Sequence, residues 1–510
     1  MRTFRFALLV ALSFAAHAQP RLAPLTILHW NDFHASNEPF SVTVRDAVTG
    51  RDTTYVVGGT AYLLAYINKY RTSTPNALVL NAGDDFQGSP ISTLTLGQSQ
   101  IELMNIINPD AMTLGNHEFD YGSERLRQTL RTARFPTLAA NIYDDRSRST
   151  FREPTRIVTR GDLRVGIVGL THPQLESLVI KDSLAGIKML DVDSVLSWHI
   201  NALRTQKVDL LIALTHAGLQ NDSAIASRHP EIDIIVGGHD HVALLKPAKV
   251  NRTLIVQAGT RGRWFGKLDV MVDLDGDSVF SYRGELVETR ASEMAPDPVA
   301  ARKVEEFAGS IRATMNVVIG ELKTPWTRNR SRERKESNVG NWQADVFRSY
   351  VGTDVAFQNS GGIRADLPAG PITVGDIWRM NPFGNHCVVF RVDGAMLRSL
   401  LEFQVSASMQ AWLQVSGIRY AFDSRRPPGS RIVSVEVNGK PLDEKSLYSI
   451  CTNNYVASNS AVHFGIDPAE LTIEPLPNLD RDILIERIRR DRLISATVDG
   501  RIRDLADENK

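Results

Sequence analysis

The sequence predicts an α/β layered sandwich joined to a second α/β domain. Three observations carry this. Apolar runs that read as strands buried on both faces recur between Pro24 and about Arg290, among them Ala77-Leu-Val-Leu, Val165-Gly-Ile-Val-Gly-Leu and Asp209-Leu-Leu-Ile-Ala-Leu. They alternate with amphipathic stretches, the rhythm of β-α-β units. Composition then changes at Pro296-Asp-Pro-Val, and a length of 510 residues exceeds what one hydrophobic core serves.

The chain opens with the basic Met1-Arg-Thr-Phe-Arg, an apolar run from Phe6 to Ala16 and the small-x-small triplet Ala16-His17-Ala18. This predicts a signal peptide over 1–18 and an exported product, periplasmic or secreted. The run is too short to span a bilayer with ease. No Cys stands at the cleavage point to carry a lipid anchor, and the C-terminal Asp504-Leu-Ala-Asp-Glu-Asn-Lys is polar, so no membrane association is expected after cleavage. The balance of 58 basic against 58 acidic residues gives no electrostatic footprint for nucleic acid.

The first domain is expected over 22–295, with helices at 60–71, 123–133 and 193–207. Residues 296–316 read as a linker helix. Pro stands at its start, and Val299, Val304, Phe307 and Ile311 recur at three-to-four spacing. The second domain, 317–510, carries a helix at 341–350, the turn Ser360-Gly-Gly and the hairpin signal Val437-Asn-Gly-Lys. Its two cysteines, Cys387 and Cys451, sit in strand-like runs, where a bridge and a pair of buried thiols both fit. Nothing sets the oligomeric state; a monomer is the expectation.

Five apolar runs of the first domain end in metal-ligand types. Asp32 and His34 follow the first, Asp84 the second, Asn116 with His117 the third, His216 the fourth, and His239 with His241 the fifth. Active groups in open α/β sheets gather at the carboxyl ends of strands. A carboxylate can bridge two ions, and imidazoles and an amide oxygen complete each without overcharging it. Ions about 3.5–4 Å apart can clamp both the attacking and the leaving oxygen of an in-line displacement. Mixed O and N ligands suit Zn, Mn, Co or similar ions better than Ca or Mg. Singly these residues have plainer readings, Asp-x-His as a surface turn and Asn116 as a helix cap; the ordered conjunction points to metal.

Ile27-Leu-His-Trp-Asn-Asp-Phe-His, Gly83-Asp-Asp-Phe-Gln-Gly-Ser, Gly115-Asn-His-Glu-Phe-Asp, Thr215-His-Ala-Gly and Gly237-Gly-His-Asp-His resemble the metallophosphoesterase blocks of the 5′-nucleotidase family. The resemblance covers nearly all of the mature chain. It implies a four-layer α/β/β/α sandwich and a C-terminal α/β substrate-binding domain. It also implies two divalent metal ions, one on Asp32, His34 and His241, the other on Asn116, His216 and His239, with Asp84 bridging. His117, oriented by Asp120, then serves the phosphoryl oxygens or leaving group.

Three blocks of the second domain resemble the family's nucleoside-binding elements. Asn359-Ser-Gly-Gly-Ile-Arg364 is similar to the loop whose Asn meets the base and whose Arg meets phosphate. Asn381-Pro-Phe383-Gly-Asn385 is similar to the block whose Phe stacks on the base, and Tyr455 stands at the second stacking position. Glu336-Ser-Asn-Val-Gly-Asn resembles the block after a phosphate-binding Arg. Here Glu333 stands at the family's spacing, leaving Arg332 or Arg334 one residue away. The position matching the family's ribose-binding Asp is Ala461.

The leading reading is an exported dimetal hydrolase of nucleoside 5′-monophosphates, using water activated by the ions. A second keeps the metals but changes the ester, to UDP-sugars, 2′,3′-cyclic nucleotides or a sulfur substrate. A third is a metal-dependent envelope binding protein without turnover; the presence of His117, Asp120 and all seven ligands argues against it.

Overall fold

The computed structural model describes residues 21–45, 50–74, 76–328, 335–406 and 412–507. The signal segment 1–18, and Arg332, Glu333 and Arg334, lie outside the described residues.

Two six-stranded sheets centre the N-terminal domain. The first runs in the order Ser278–Glu288, Trp264–Asp273, Leu22–Trp30, Ala77–Asn81, Ala111–Thr113, Thr137–Leu138. The second runs Ala248–Val250, Thr253–Val256, Ile234–Val236, Leu210–Thr215, Leu163–Leu170, Thr155–Arg160. In the first sheet Leu22–Trp30, Ala77–Asn81 and Ala111–Thr113 pair parallel, so their carboxyl ends emerge together. The same holds for Leu163–Leu170, Leu210–Thr215 and Ile234–Val236 in the second.

Side-chain alternation sorts each strand between two cores. Leu25, Ile27, Leu78 and Leu80 of the first sheet join Val165, Ile167, Ile212 and Leu214 of the second in one core between the sheets. Leu28 and Val79 face outward and pack under Leu63, Ile67, Ile101 and Leu126 of three helices. Outside the second sheet, Leu196, Ile200 and Ile225 pack on Leu211, Ala213 and Ile235. The result is the expected α/β/β/α stack. The helices run Thr60–Ser73, Ser123–Leu130 and Val192–Thr205, within a few residues of expectation. The last is capped by Asp191, whose side chain accepts from the Ser194 N–H.

Helix Pro298–Met315 joins the domains. The Asp297 side chain accepts from the N–H of Val299 and Ala300, both at 3.0 Å, ahead of Pro298 in the first turn. Its Ala300 belongs to the N-terminal core and its Met315 to a C-terminal one. The second domain is built on a five-stranded sheet ordered Leu413–Ser416, Val355–Asn359, Leu447–Asn453, His386–Asp393, Glu474–Leu479. Asn438 and Gly439, at φ 52° and 74°, turn the strand Ile432–Val437 into Lys440–Pro441 as the Asn-Gly pair predicts. Cys387 and Cys451 are buried free thiols on adjacent antiparallel strands, with Cys387 opposite Asn453 and Cys451 opposite Val389. Among the described residues no helix is long and apolar enough to cross a membrane.

Candidate active site

The carboxyl ends of the parallel strands converge where the two sheets meet. Loop 32–35 lies against loop 83–85: the N–H groups of Asp32, His34 and Ala35 donate to the carbonyls of Gly83, Asp84 and Asp85, each at 2.9 Å. His239 N–H donates to Asp32 Oδ2 at 2.9 Å, and Asn31 Nδ2 to the same oxygen at 2.6 Å. Three loops are thereby locked together before any side chain binds a ligand. Asp32, His34, Asp84, His239 and His241 all sit at positive φ, between 49° and 88°. Outside glycine this region is uncommon and most accessible to Asn, Asp and His. Such clustered strain is typical of functional sites.

Two triads of titratable side chains result, with ligand atoms all within 4.8 Å of one another: Asp32, His34 and His241, and Asp84, His216 and His239. His34 Nε2 lies 2.9 Å from His241 Nε2, and His241 Nε2 3.3 Å from Asp32 Oδ1. His216 Nε2 lies 3.1 Å from Asp84 Oδ2, while its Nδ1–H donates to the Ala82 carbonyl at 2.7 Å. Asn116 does not cap the following turn; its Oδ1 lies 3.0 Å from His239 Nδ1. The donor set fits divalent metal. Asp32 Oδ1 is buried yet accepts no hydrogen bond, an arrangement that costs free energy unless a cation answers it. Burial would lower the proton affinity of His216, but the Asp84 and Asp32 carboxylates raise it to about 10, so the pocket favours positive charge.

His117 joins a third triad with His34 and Asp84. Its Nδ1–H donates to Asp120 Oδ2 at 2.8 Å, and its Nε2 lies 3.9 Å from Asp84 Oδ2. Burial alone would depress this imidazole; Asp120 and Asp84 more than offset it and hold the pKa above the ordinary value.

Beneath the centre lies Glu118, which the sequence reading passed over. Its carboxylate accepts from the N–H of Asp84, Asp85, Phe86 and Gly115 at 3.0, 2.8, 3.2 and 2.6 Å. One buried side chain thus fixes the loop that carries Asp84 against the loop that carries Asn116. In Glu118→Gln an amide group replaces one oxygen and leaves two buried N–H groups without acceptors. At about 1–3 kcal/mol per unsatisfied group, the expected loss is about 3 kcal/mol, read as a lower urea midpoint. An unchanged midpoint would mean that these bonds carry no net stability.

The second domain closes the site from above. Arg364 Nη2 approaches His34 Nε2 at 3.5 Å, and the Arg364 guanidinium lies 5.7 Å from the centre of the Phe383 ring. The Phe383 ring is 5.7 Å from that of His117. A cavity of about 200 Å³ lies between the domains, and Asn116, His117, Asp120 and His239 are among the residues that line it. Asn359, Arg364, Phe383, Asn385 and Tyr455 all line it. Ala461 is exposed, whereas His463, buried and edge-on to Tyr455 at 5.6 Å, faces the cavity together with Trp412. His172 was also missed. It follows the strand Leu163–Leu170, and its ring lies 4.5 Å from that of His239. Thr171-His172 is a sixth strand end with the same signature as the other five.

Comparison with known proteins agrees with this architecture. A family model described as calcineurin-like phosphoesterase matches residues 25–243, and one described as 5′-nucleotidase, C-terminal domain, matches 318–464. The 5′-nucleotidase of Diplobatis ommata is 30% identical over 94% of this chain and 90% of its own length. Endonuclease YhcR of Bacillus subtilis (strain 168) is 26% identical over 93% of this chain, which spans only 41% of that protein. The crystal structure of a 5′-nucleotidase precursor from Thermus thermophilus superposes with a TM-score of 0.85 at 32% identity, covering 95% of this chain and 99% of that one.

Proposed function

Because the chain belongs to the 5′-nucleotidase family and is a phosphoester hydrolase, we propose that it hydrolyses nucleoside 5′-monophosphates at a centre of two divalent ions, outside the cytoplasm. Asp32, His34 and His241 would hold one ion and Asn116, His216 and His239 the other, with Asp84 shared. When bound, the ions supply charge neutralisation for the phosphoryl oxygens and acidify the attacking water. His117, its Nδ1 held by Asp120, presents Nε2 to the phosphoryl group or the leaving oxygen. Arg364 pairs with phosphate through its planar fork. In this reading residues 22–295 bring the metals and 317–510 the leaving-group pocket, so a productive complex needs both.

The observation that carries the nucleotide is continuity. Arg364 and His117 line the same cavity as Phe383 and Tyr455, two half-buried rings, of which Tyr455 rests on the core of the second domain and Phe383 lies 5.7 Å from the His117 ring. A flat base fits such a site. The test is a panel of AMP, UDP-glucose and 2′,3′-cyclic AMP with added Mn²⁺ or Zn²⁺. AMP should give the highest kcat/KM, and EDTA should abolish turnover. A higher value for UDP-glucose or the cyclic nucleotide would reassign the substrate.

Phe383→Ala separates pocket from core. Stacking is worth about 1–3 kcal/mol per base, so KM for AMP should rise roughly 5- to 150-fold while KM for glycerol phosphate barely moves. Equal losses on both esters would place Phe383 in the packing.

A further inference from the structure

The nucleotide reading places the leaving group against the second domain alone. The cavity has another wall. Leu178, Ile180 and Ser183 of the N-terminal domain line it together with Phe383, Trp412 and Tyr455. They come from the segment that follows His172: a short helix Leu175–Leu178, then a 3-10 turn Lys181–Leu184.

That segment is anchored. Leu175, Val179 and Leu184 are buried in the N-terminal core, at 0%, 3% and 8% exposure, and the Ser123 hydroxyl donates to the Ala185 carbonyl at 2.9 Å. Leu178 and Ile180 lie between these anchors and are only half-buried. The anchors fix the backbone, so apolar side chains stand at the cavity without having to be ordered by a ligand. Apolar walls with a few polar groups are the usual build of a small-molecule pocket.

We propose that Leu178 and Ile180 are specificity-determining residues that contact the nucleoside from the N-terminal domain, so that the leaving group is selected by both domains at once. This rests on the nucleotide reading. Ile180 then presses the nucleoside from the side of the metals' own domain, while Phe383 and Tyr455 hold it from the other.

The test uses the full chain and adenosine as a competitive inhibitor of AMP hydrolysis, with inorganic phosphate as the parallel inhibitor. Ile180→Ala removes the contact, and the Leu178→Ala/Ile180→Ala double variant removes more of the wall. Lost apolar contact in a pocket is worth about tenfold or more, so the adenosine Ki should rise about tenfold in Ile180→Ala and further in the double variant. The phosphate Ki should move less than twofold. Ile180→Trp, which fills the cavity and adds apolar surface, should also weaken adenosine, and the melting temperature of each variant checks folding. An unchanged adenosine Ki in folded Ile180→Ala and Ile180→Trp would overturn the inference while leaving the nucleotide reading intact. Failure of the unaltered chain to hydrolyse any nucleotide would remove that reading, and the inference with it.

Discussion

Asp84→Ala is expected to produce the largest loss of any single substitution, removing metal and turnover together. Asp84 is 2% exposed, and its carboxylate lies between His216 on one side and the His117 N–H on the other. Burial would raise its pKa, but His216 and His117 hold it well below the ordinary carboxylate range, so it stays ionised. In the proposed assignment Asp84 is the ligand common to both ions, and its loss would remove the negative charge that both sites share. Loss of an outer-shell partner already costs about 10–100-fold in metal affinity, and loss of the shared ligand should exceed about 100-fold. Alanine also strains the backbone at φ 60°. Asp84→Asn tolerates that conformation and isolates the charge. Metal content and kcat near those of the unaltered chain in Asp84→Asn would remove the carboxylate from the bridging role.

His117→Ala should lower kcat by roughly 10²–10³, the size of losing one transition-state donor, with metal content retained. The structure makes this a real choice, since His117 shares a ligand-distance triad with His34 and Asp84. Its bond to Asp120 Oδ2 at 2.8 Å uses Nδ1 and leaves Nε2 as the working atom. Asp120→Asn should give a smaller fall in kcat, since His117 then keeps its place but loses the charge that supports its proton. Loss of an ion in His117→Ala, measured by elemental analysis, would move this residue into the coordination shell.

The ligand positions are legible in the sequence for a physical reason. A strand buried on both faces is apolar throughout, so the first polar residue beyond it stands out, as Asp84 does after Ala77–Asn81 and His216 after Leu210–Thr215. The same rule reaches His172, which stands two residues beyond the strand Leu163–Leu170. Glu118 is invisible for a different reason. Its partners are backbone N–H groups three and more than thirty residues away, and backbone donors leave no mark on residue identity. Ile180 shares a cavity with Trp412 and His463 only because two domains dock. Locally each belongs to an unremarkable stretch, and no periodicity encodes a neighbour across an interface.

The left-handed backbone at five of the proposed ligand positions bears on which residues could replace them. At Asp32, His34, Asp84, His239 and His241 the main chain itself screens incoming residues. A longer or branched ligand there brings backbone strain of about 1–2 kcal/mol in addition to its altered coordination. Asn116, at φ −73°, carries no such filter, and neither does His216, which is absent from the left-handed set. Both of these serve the same ion in the proposed assignment. In that assignment the left-handed backbone constrains every ligand of the first ion but only His239 and the shared Asp84 at the second, so the main chain leaves Asn116 and His216 the freest to be replaced.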